Sequence, residues 1–250
     1  MASLEATQQS QGRKASKDVR RQQLIDATIQ VLAQRGYASL TVADVAKAAG
    51  LSVGIINFHF ESKEKLLAAS LAYLADEYAR NWKAAKAAAG AKASDQLEAV
   101  LMADFDDQVF TPTKLAAWIG FWGETQGRPI YQEHCAAYDA EHSEALRQLC
   151  AQIITEGKYG YEPVAITRGL ESMGEGLWLG VVTANAEIAA HVSAAEARRT
   201  IRVCLAALFP KHFNERKSCV SRFRPTPRRG ATGRVPLSLK NCSRSNSKPR

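Results

Sequence analysis

An all-α fold of about nine helices follows from three features of the 250-residue sequence. Apolar residues recur at helical spacing through most of the chain up to about residue 210. Each periodic stretch opens on a capping residue and closes on glycine or proline. No run shows the alternation a half-buried strand needs, and the short apolar stretch from Ile55 to Phe60 sits between two capping serines, Ser52 and Ser62.

Residues 1–16 are polar and aperiodic and read as a disordered arm carrying Arg13 and Lys14. Asp18 is placed to cap a first helix whose apolar face is Leu24, Ala27, Thr28, Val31 and Leu32, with Gly36 as its stop. Thr41 opens Thr-Val-Ala-Asp, a capping box, before a short helix that buries Val42, Val45 and Ala46 and ends at Gly50. Ser52 caps a third, short helix, and Ser62 a long fourth one bearing Leu66, Leu67, Leu71 and Leu74. Further on, Gly90 to Ser94 is a break with Ser94 as cap, and Thr111-Pro112 is a cap followed by proline at the first helical position. Gly127-Arg128-Pro129 is another break, Glu162-Pro163 and Ser193 with Glu196 start two more helices, and Pro210 closes the last. Residues 214–250, rich in Arg, Ser and Pro without a period, cannot bury enough surface to order themselves.

Charge is distributed unevenly. The net charge of +8 owes most to residues 214–250, with eleven Lys/Arg against one Glu. Residues 13–65 carry nine basic and five acidic side chains, whereas 66–213 carry thirteen basic and eighteen acidic ones. A basic N-terminal segment on an acidic body suits a chain that meets phosphate at one end only. The five cysteines are odd in number and form no CxxC pair, so reduced thiols are expected rather than disulfides or a zinc site. No run reaches the roughly 18 apolar residues of a membrane span, and the N-terminus has no apolar core of a secretory signal, so the cytoplasm is the expected compartment.

The second and third helices with the turn at Gly50 have the spacing of a helix–turn–helix, which presents its second helix to the major groove. Ala43, Ala46, Ala48 and Ala49 let the first helix pack closely, Gly50 tolerates positive φ, and Leu51 fills the angle between the two. The spaced residues Gly36, Tyr37, Thr41, Val45, Ala46, Ala49, Gly50, Leu51, Ser52, Gly54, Asn57, His59, Phe60, Lys63 and Leu66 make the chain similar to the TetR family of transcriptional repressors. A narrower resemblance, to the choline-responsive BetI-type members, is carried by RRQQLIDATIQVL, GLSVGIINFHF, KLAAWIGFWGETQGRPIYQ and GLESMGEGLWLGV.

The resemblance implies a disordered arm (1–17), a DNA-binding domain (18–78, helix–turn–helix 41–60), a ligand-binding and dimerisation domain (79–213) and a basic disordered tail (214–250). It implies that Thr41, His59 and Lys63 meet phosphates while Ser52, Val53, Gly54, Ile55 and Asn57 face the major groove, with Arg20 and Arg21 as flanking contacts. Asn57 stands where many members have tyrosine; asparagine can pair with adenine through two hydrogen bonds. Ile56, Phe58 and Phe60 are expected to anchor the third helix to the core.

For the body, the resemblance implies a homodimer that binds palindromic operator DNA. Leu170, Met173, Leu177, Val181, Ile201, Leu205 and Leu208 are the expected apolar surface of a dimer or helix-packing seam, beside Gly169, Gly174, Gly176 and Gly180. It also implies a choline-like inducer held by aromatic faces. Trp118, Phe121, Trp122, Tyr131 and Trp178 are the candidate cage, with Glu124, Asp139 or Glu175 as counter-charges; the same rings could instead be ordinary core. His134, Tyr138 and His142 share a helix face without further metal ligands nearby, and are expected on a solvated or interface face. Gly-Glu-Gly-Leu-Trp-Leu-Gly follows no strand and is not read as a nucleotide loop. No catalytic constellation, cofactor motif or metal site is found, so a regulator rather than an enzyme is expected; its target could be choline and betaine genes or another operon with another inducer.

Overall fold

A computed structural model describes the backbone of residues 2–123, 130–184 and 193–213, with side chains from residue 16. The described residues contain helices and no strand. They belong to a unit spanning Met1–Glu215; the second unit, Arg216–Arg250, lies outside them, as do the expected tail, Cys219 and Cys242. Glu124 and the Gly127-Arg128-Pro129 break also lie outside.

Ten helices are seen among the described residues. They are α1 (Ala2–Arg35), α2 (Val42–Ala49), α3 (Val53–Phe60), α4 (Lys63–Ala88), α5 (Ala93–Ala103), α6 (Pro112–Trp122), α7 (Ile130–Gly157), α8 (Pro163–Thr183), α9 (Ala194–Leu208) and α10 (Pro210–Phe213). Local chemistry sets most of the boundaries. Thr41, Ser62, Thr111 and Ser193 accept the cap hydrogen bonds of α2, α4, α6 and α9, and the Glu162 carboxylate accepts two at the start of α8. Gly50 closes α2 in the left-handed region at φ 64°, where a Cβ would be strained.

The structure corrects four boundaries. The first helix does not begin at an Asp18 cap but runs from Ala2, so the arm expected over 1–17 is largely helical. Its residues are mostly good helix formers without proline, and extending a helix already anchored by Leu24, Val31 and Leu32 costs far less than nucleating one. The cap of α5 is Lys92, not Ser94; starting there places Ala93 and Ser94 inside the protein. Pro210 begins the short α10 as well as following α9. The domain boundary expected at 78/79 falls within the unbroken α4, so no linker separates the two parts.

At the N-terminal end, Leu24, Thr28, Val31 and Leu32 of α1 form one core with Leu40, Val45, Ile56, Phe60, Leu66, Leu67 and Leu71. The body packs α5 and α7 against α4, and α8 against α6 and α7. α6 lies along α1, where Gly120 leaves room for Leu32: a Cβ at Gly120 would sit 3.4 Å from a Leu32 methyl. Leu170, Ile201 and Leu205, expected on a dimer or helix-packing seam, are buried in this chain's own core. Met173, Leu177, Val181 and Leu208 are half-buried against it. The outward side of α8 and α9 carries Val164, Leu179, Val182 and Val203, with Gly169 and Gly176 opening onto free space. Cys135 and Cys150 are buried free thiols and Cys204 is half-buried. No helix among the described residues is long and apolar enough to cross a membrane.

Candidate functional site

Two places in the fold gather the candidate residues. At the N-terminal end, α3 divides cleanly. Ile56 and Phe60 are buried, Ile55 and His59 are half-buried, and Ser52, Val53, Gly54, Asn57 and Phe58 are exposed. Ile55 therefore packs on the core rather than facing outward as expected. Phe58, expected as a core anchor, is 69% exposed. The reason is angular: Phe58 lies about 160° round the helix from Phe60 and Ile56, on its opposite face.

Ser52 occupies the N-cap position with extended backbone, yet its hydroxyl makes no cap hydrogen bond. The positive end of α3 and that hydroxyl are both available to an anion or a base edge. A Cβ at Gly54 would meet only the Ser52 Oγ at 3.8 Å, so protein packing does not demand glycine there. Helix α3 has no acidic residue in its first turn, and its basic surroundings come from α1: Lys17 lies over the Phe58 ring and Arg21 over Phe60, at 5.6 and 4.4 Å from the ring centroids.

Two of the three expected phosphate contacts, Thr41 and Lys63, are occupied locally. The Thr41 hydroxyl donates to Asp44 Oδ2 at 2.7 Å and accepts the Asp44 N–H, while Asp44 pairs with Arg35 at 3.0 Å. That hydroxyl, before the charge of Arg35, holds the half-buried Asp44 carboxyl below its usual range. Lys63 donates its ammonium to the Leu40 carbonyl, one residue from Thr41, so the two lie together at the start of α2. His59 Nδ1 is buried with no hydrogen-bond partner, and burial, then Lys17 and Arg21, push its pKa down.

The second place is a cavity of about 580 Å³ in the body. Four of the five candidate rings line it: Trp118 and Trp122 from α6, Tyr131 from α7 and Trp178 from α8. Trp122 and Trp178 stack with centroids 6.2 Å apart and planes 17° from parallel, and Trp118 meets Tyr131 edge-on at 6.3 Å. Phe121 is not among them. It is fully buried and packs edge-on against Tyr37 at 5.8 Å, because the helical turn that aims Trp118 and Trp122 at the cavity turns Phe121 toward α1.

Sequence reasoning missed Tyr78, Asp104, His142, Arg168 and Glu171 on the wall. Tyr78 donates to Asp104 Oδ1 at 2.8 Å, and Trp178 donates to the Asp104 backbone carbonyl at 3.0 Å. Burial raises the Asp104 carboxyl to about 7, against the opposing effect of the Tyr78 hydrogen bond. His142 was expected on a solvated or interface face; it lies instead against Tyr78 and Trp82, and burial pushes its pKa down to about 4. Asp139, which accepts from Tyr131 at 3.1 Å, and Glu175 are also raised, chiefly by burial. Among the described lining residues, Asp104, Asp139, Glu171 and Glu175 face one guanidinium, Arg168, so the cavity favours a cation. The signal for Asp104 was present: it is the acidic residue closing the apolar run Ala-Val-Leu-Met-Ala.

A helix–turn–helix with an exposed, uncharged second helix, joined through α4 and α6 to a body with an aromatic cavity, defines a ligand-responsive DNA-binding regulator. Residues 24–70 match the family model described as bacterial regulatory proteins, tetR family, and 93–210 that of the BetI-type transcriptional repressor C-terminal domain. The chain is 35% identical over 167 residues to the HTH-type transcriptional regulator BetI of Stenotrophomonas maltophilia, covering 67% of this chain and 83% of that one. The chain belongs to the TetR family of transcriptional regulators, with a BetI-type body, and is not an enzyme. Among solved structures, a TetR transcription regulator from Haloarcula marismortui shares its fold, with a TM-score of 0.64 and 19% identity over 76% of this chain and 98% of the other. A regulator-like protein of Saccharomonospora viridis, solved in complex with choline, does so with a TM-score of 0.62 and 18% identity, over 74% and 94%.

Proposed function

We propose that this regulator represses genes for choline uptake and glycine betaine synthesis, and that choline or a related quaternary ammonium compound releases it. The observation that carries the reading is the cavity, where stacked and edge-on rings meet four carboxylates and one arginine. A quaternary ammonium donates no hydrogen bond and cannot lose its charge. It is held by aromatic faces and desolvated carboxylates. The choline bound by the Saccharomonospora viridis protein and the likeness to BetI regulators support the same reading.

The regulator acts in the cytoplasm as a homodimer, its subunits meeting through the outward apolar side of α8 and α9. Two copies of α3 then reach successive major grooves of a palindrome. Ser52, Val53, Gly54 and Asn57 face the bases. Thr41 and Lys63 exchange their local partners for phosphates, and His59 joins them. Because α4 and α6 line the cavity and also support the N-terminal core, a ligand that favours one arrangement of these helices changes the spacing of the two readers. The coupling is reciprocal: operator DNA weakens ligand binding by the factor by which ligand weakens DNA binding.

Titration of the purified protein with choline, followed by tryptophan fluorescence, tests the reading. Quenching or enhancement that saturates, absent in a Trp122→Ala variant, is the expected result. No response up to millimolar choline sinks it. A second reading, a regulator of another operon with a bulkier inducer, is favoured by one observation: about 580 Å³ is in the range that holds drug-sized ligands and exceeds what a choline-sized cation fills. A response to large aromatic cations but not to choline would select it.

A further inference from the structure

The surface of α3 contains more than its polar readers. Successive residues advance by about 100°, so Val53, Asn57, Gly54 and Phe58 occupy one arc of about 140°, in that angular order. All four are exposed, and the opposite arc holds Ile55, Ile56 and His59, buried or half-buried. The exposed arc thus has an apolar side chain at each edge, Val53 at 41% and Phe58 at 69% exposure, with Asn57 and the bare backbone of Gly54 between them.

An aromatic ring left in water on a helix that packs Ile55, Ile56 and Phe60 inward is suited to a partner. Charge selects it: the first turn of α3 is free of acidic residues, and Lys17 and Arg21 of α1 flank its rings. That surface suits the major groove, where the apolar group on offer is the 5-methyl of thymine. We infer that Phe58 is a specificity-determining residue that reads a thymine methyl in the operator, beside the base met by Asn57, with Val53 available to a second methyl on the other side. The inference rests on the reading that α3 enters the major groove. Gly54 fits it, since packing within the protein does not call for glycine there and a side chain at that position would hold Phe58 away from the base edges.

The test uses the full chain. Operator half-sites are first obtained by selection from random duplexes. Each thymine is then replaced in turn by deoxyuridine, which removes the methyl and leaves the Watson–Crick edge intact. Affinities are measured for the wild type and for Phe58→Ala, which is expected to fold normally because the ring is exposed. One buried methyl corresponds to about fourfold in affinity, and the same change in both half-sites to about fifteenfold. The wild type is expected to show this loss at one thymine per half-site, and Phe58→Ala to bind the two duplexes equally. The thymine-to-uracil ratio is insensitive to a uniform loss of affinity, such as a rearranged Lys17 would cause. If Phe58→Ala keeps the wild-type ratio at every position, or if no thymine is methyl-sensitive, the inference is overturned while the function stands. If no duplex is enriched, both fall.

Discussion

The two ends of this molecule handle charge in opposite ways. The reading surface of α3 is nearly uncharged, and its cations sit to the side, on α1 and at the start of α4. The cavity gathers four carboxylates among rings, buries one of them, Asp104, and sets a single guanidinium, Arg168, against them. DNA brings a regular array of phosphates, so the protein can separate grip from reading. A small cation brings a single charge, so grip and recognition must coincide in one desolvated place. The exposed arc of α3 is therefore in place without DNA, whereas the cavity holds an electrostatic imbalance that a bound cation would relieve.

The largest effect tests which rings belong to which end. Phe121→Ala should lower stability by about 3–5 kcal/mol, as for other buried phenylalanines, in denaturant unfolding. Trp122→Ala, at the half-exposed cavity wall, should lower it less while abolishing the choline response. If Phe121→Ala were well tolerated, the edge contact with Tyr37 would not be part of the core.

Next comes the imbalance itself. At pH 8, Asp104→Asn should weaken binding of a quaternary cation by roughly a hundredfold in calorimetry, from about 2–3 kcal/mol of Coulomb attraction at about 6 Å and an effective dielectric of about 20. A cation requires the ionised form, so wild-type affinity should fall as pH drops through about 7, whereas that of the variant should stay flat. Stability without ligand follows the same groups. Asp104 has a raised pKa, so its contribution is present at low pH and is lost as pH rises through about 7. His142 has a lowered pKa, so its contribution is present above its ordinary range and is lost as pH falls toward about 4. The two offset one another at acid pH. The His142 gain is complete near its ordinary value of about 6.5, so the Asp104 loss stands alone from there to about 7; thermal melts should decline over that interval and level off above it, and a bound cation should remove the slope.

At the reading end, Asn57→Ala should relax base choice at one position by about 1–3 kcal/mol. Lys63→Ala should weaken all duplexes alike and reduce the salt slope by about one. Equal effects of both variants on specific and random DNA would break the separation of reading from grip. The smallest effect separates the two serine caps. Ser62→Ala should cost about 1 kcal/mol, because its hydroxyl accepts from the Lys65 N–H. Ser52→Ala should leave stability within about 0.5 kcal/mol and alter only DNA binding.

The same contrast explains what could be read in the sequence. Thr41, Gly50, Ser62 and Thr111 act on the turn in which they stand, so spacing alone located α2, α4 and α6. The cavity is assembled from residues far apart in the chain: Tyr78, Asp104, His142 and Trp178 meet through the packing of α4, α7 and α8 with the end of α5. No local pattern announces such a meeting. Rings could be nominated by type, but Phe121 and Trp122, neighbours in sequence, point to different interiors. Phe58 was misjudged for a related reason: aromatic character suggests burial, and only the helical phase shows which of two nearby rings is inside.

Helix α4 carries a consequence of its own. It holds Lys63 near its start and Tyr78 and Trp82 farther along, with no break between them. The reader and the cavity wall are thus locked in angular phase by one rod. Inserting a single residue between Leu71 and Tyr78 would turn one end by about 100° against the other and lengthen the rod by about 1.5 Å. A change of length in a loop would leave the two ends in phase, but in this stretch it would amount to a change of gearing.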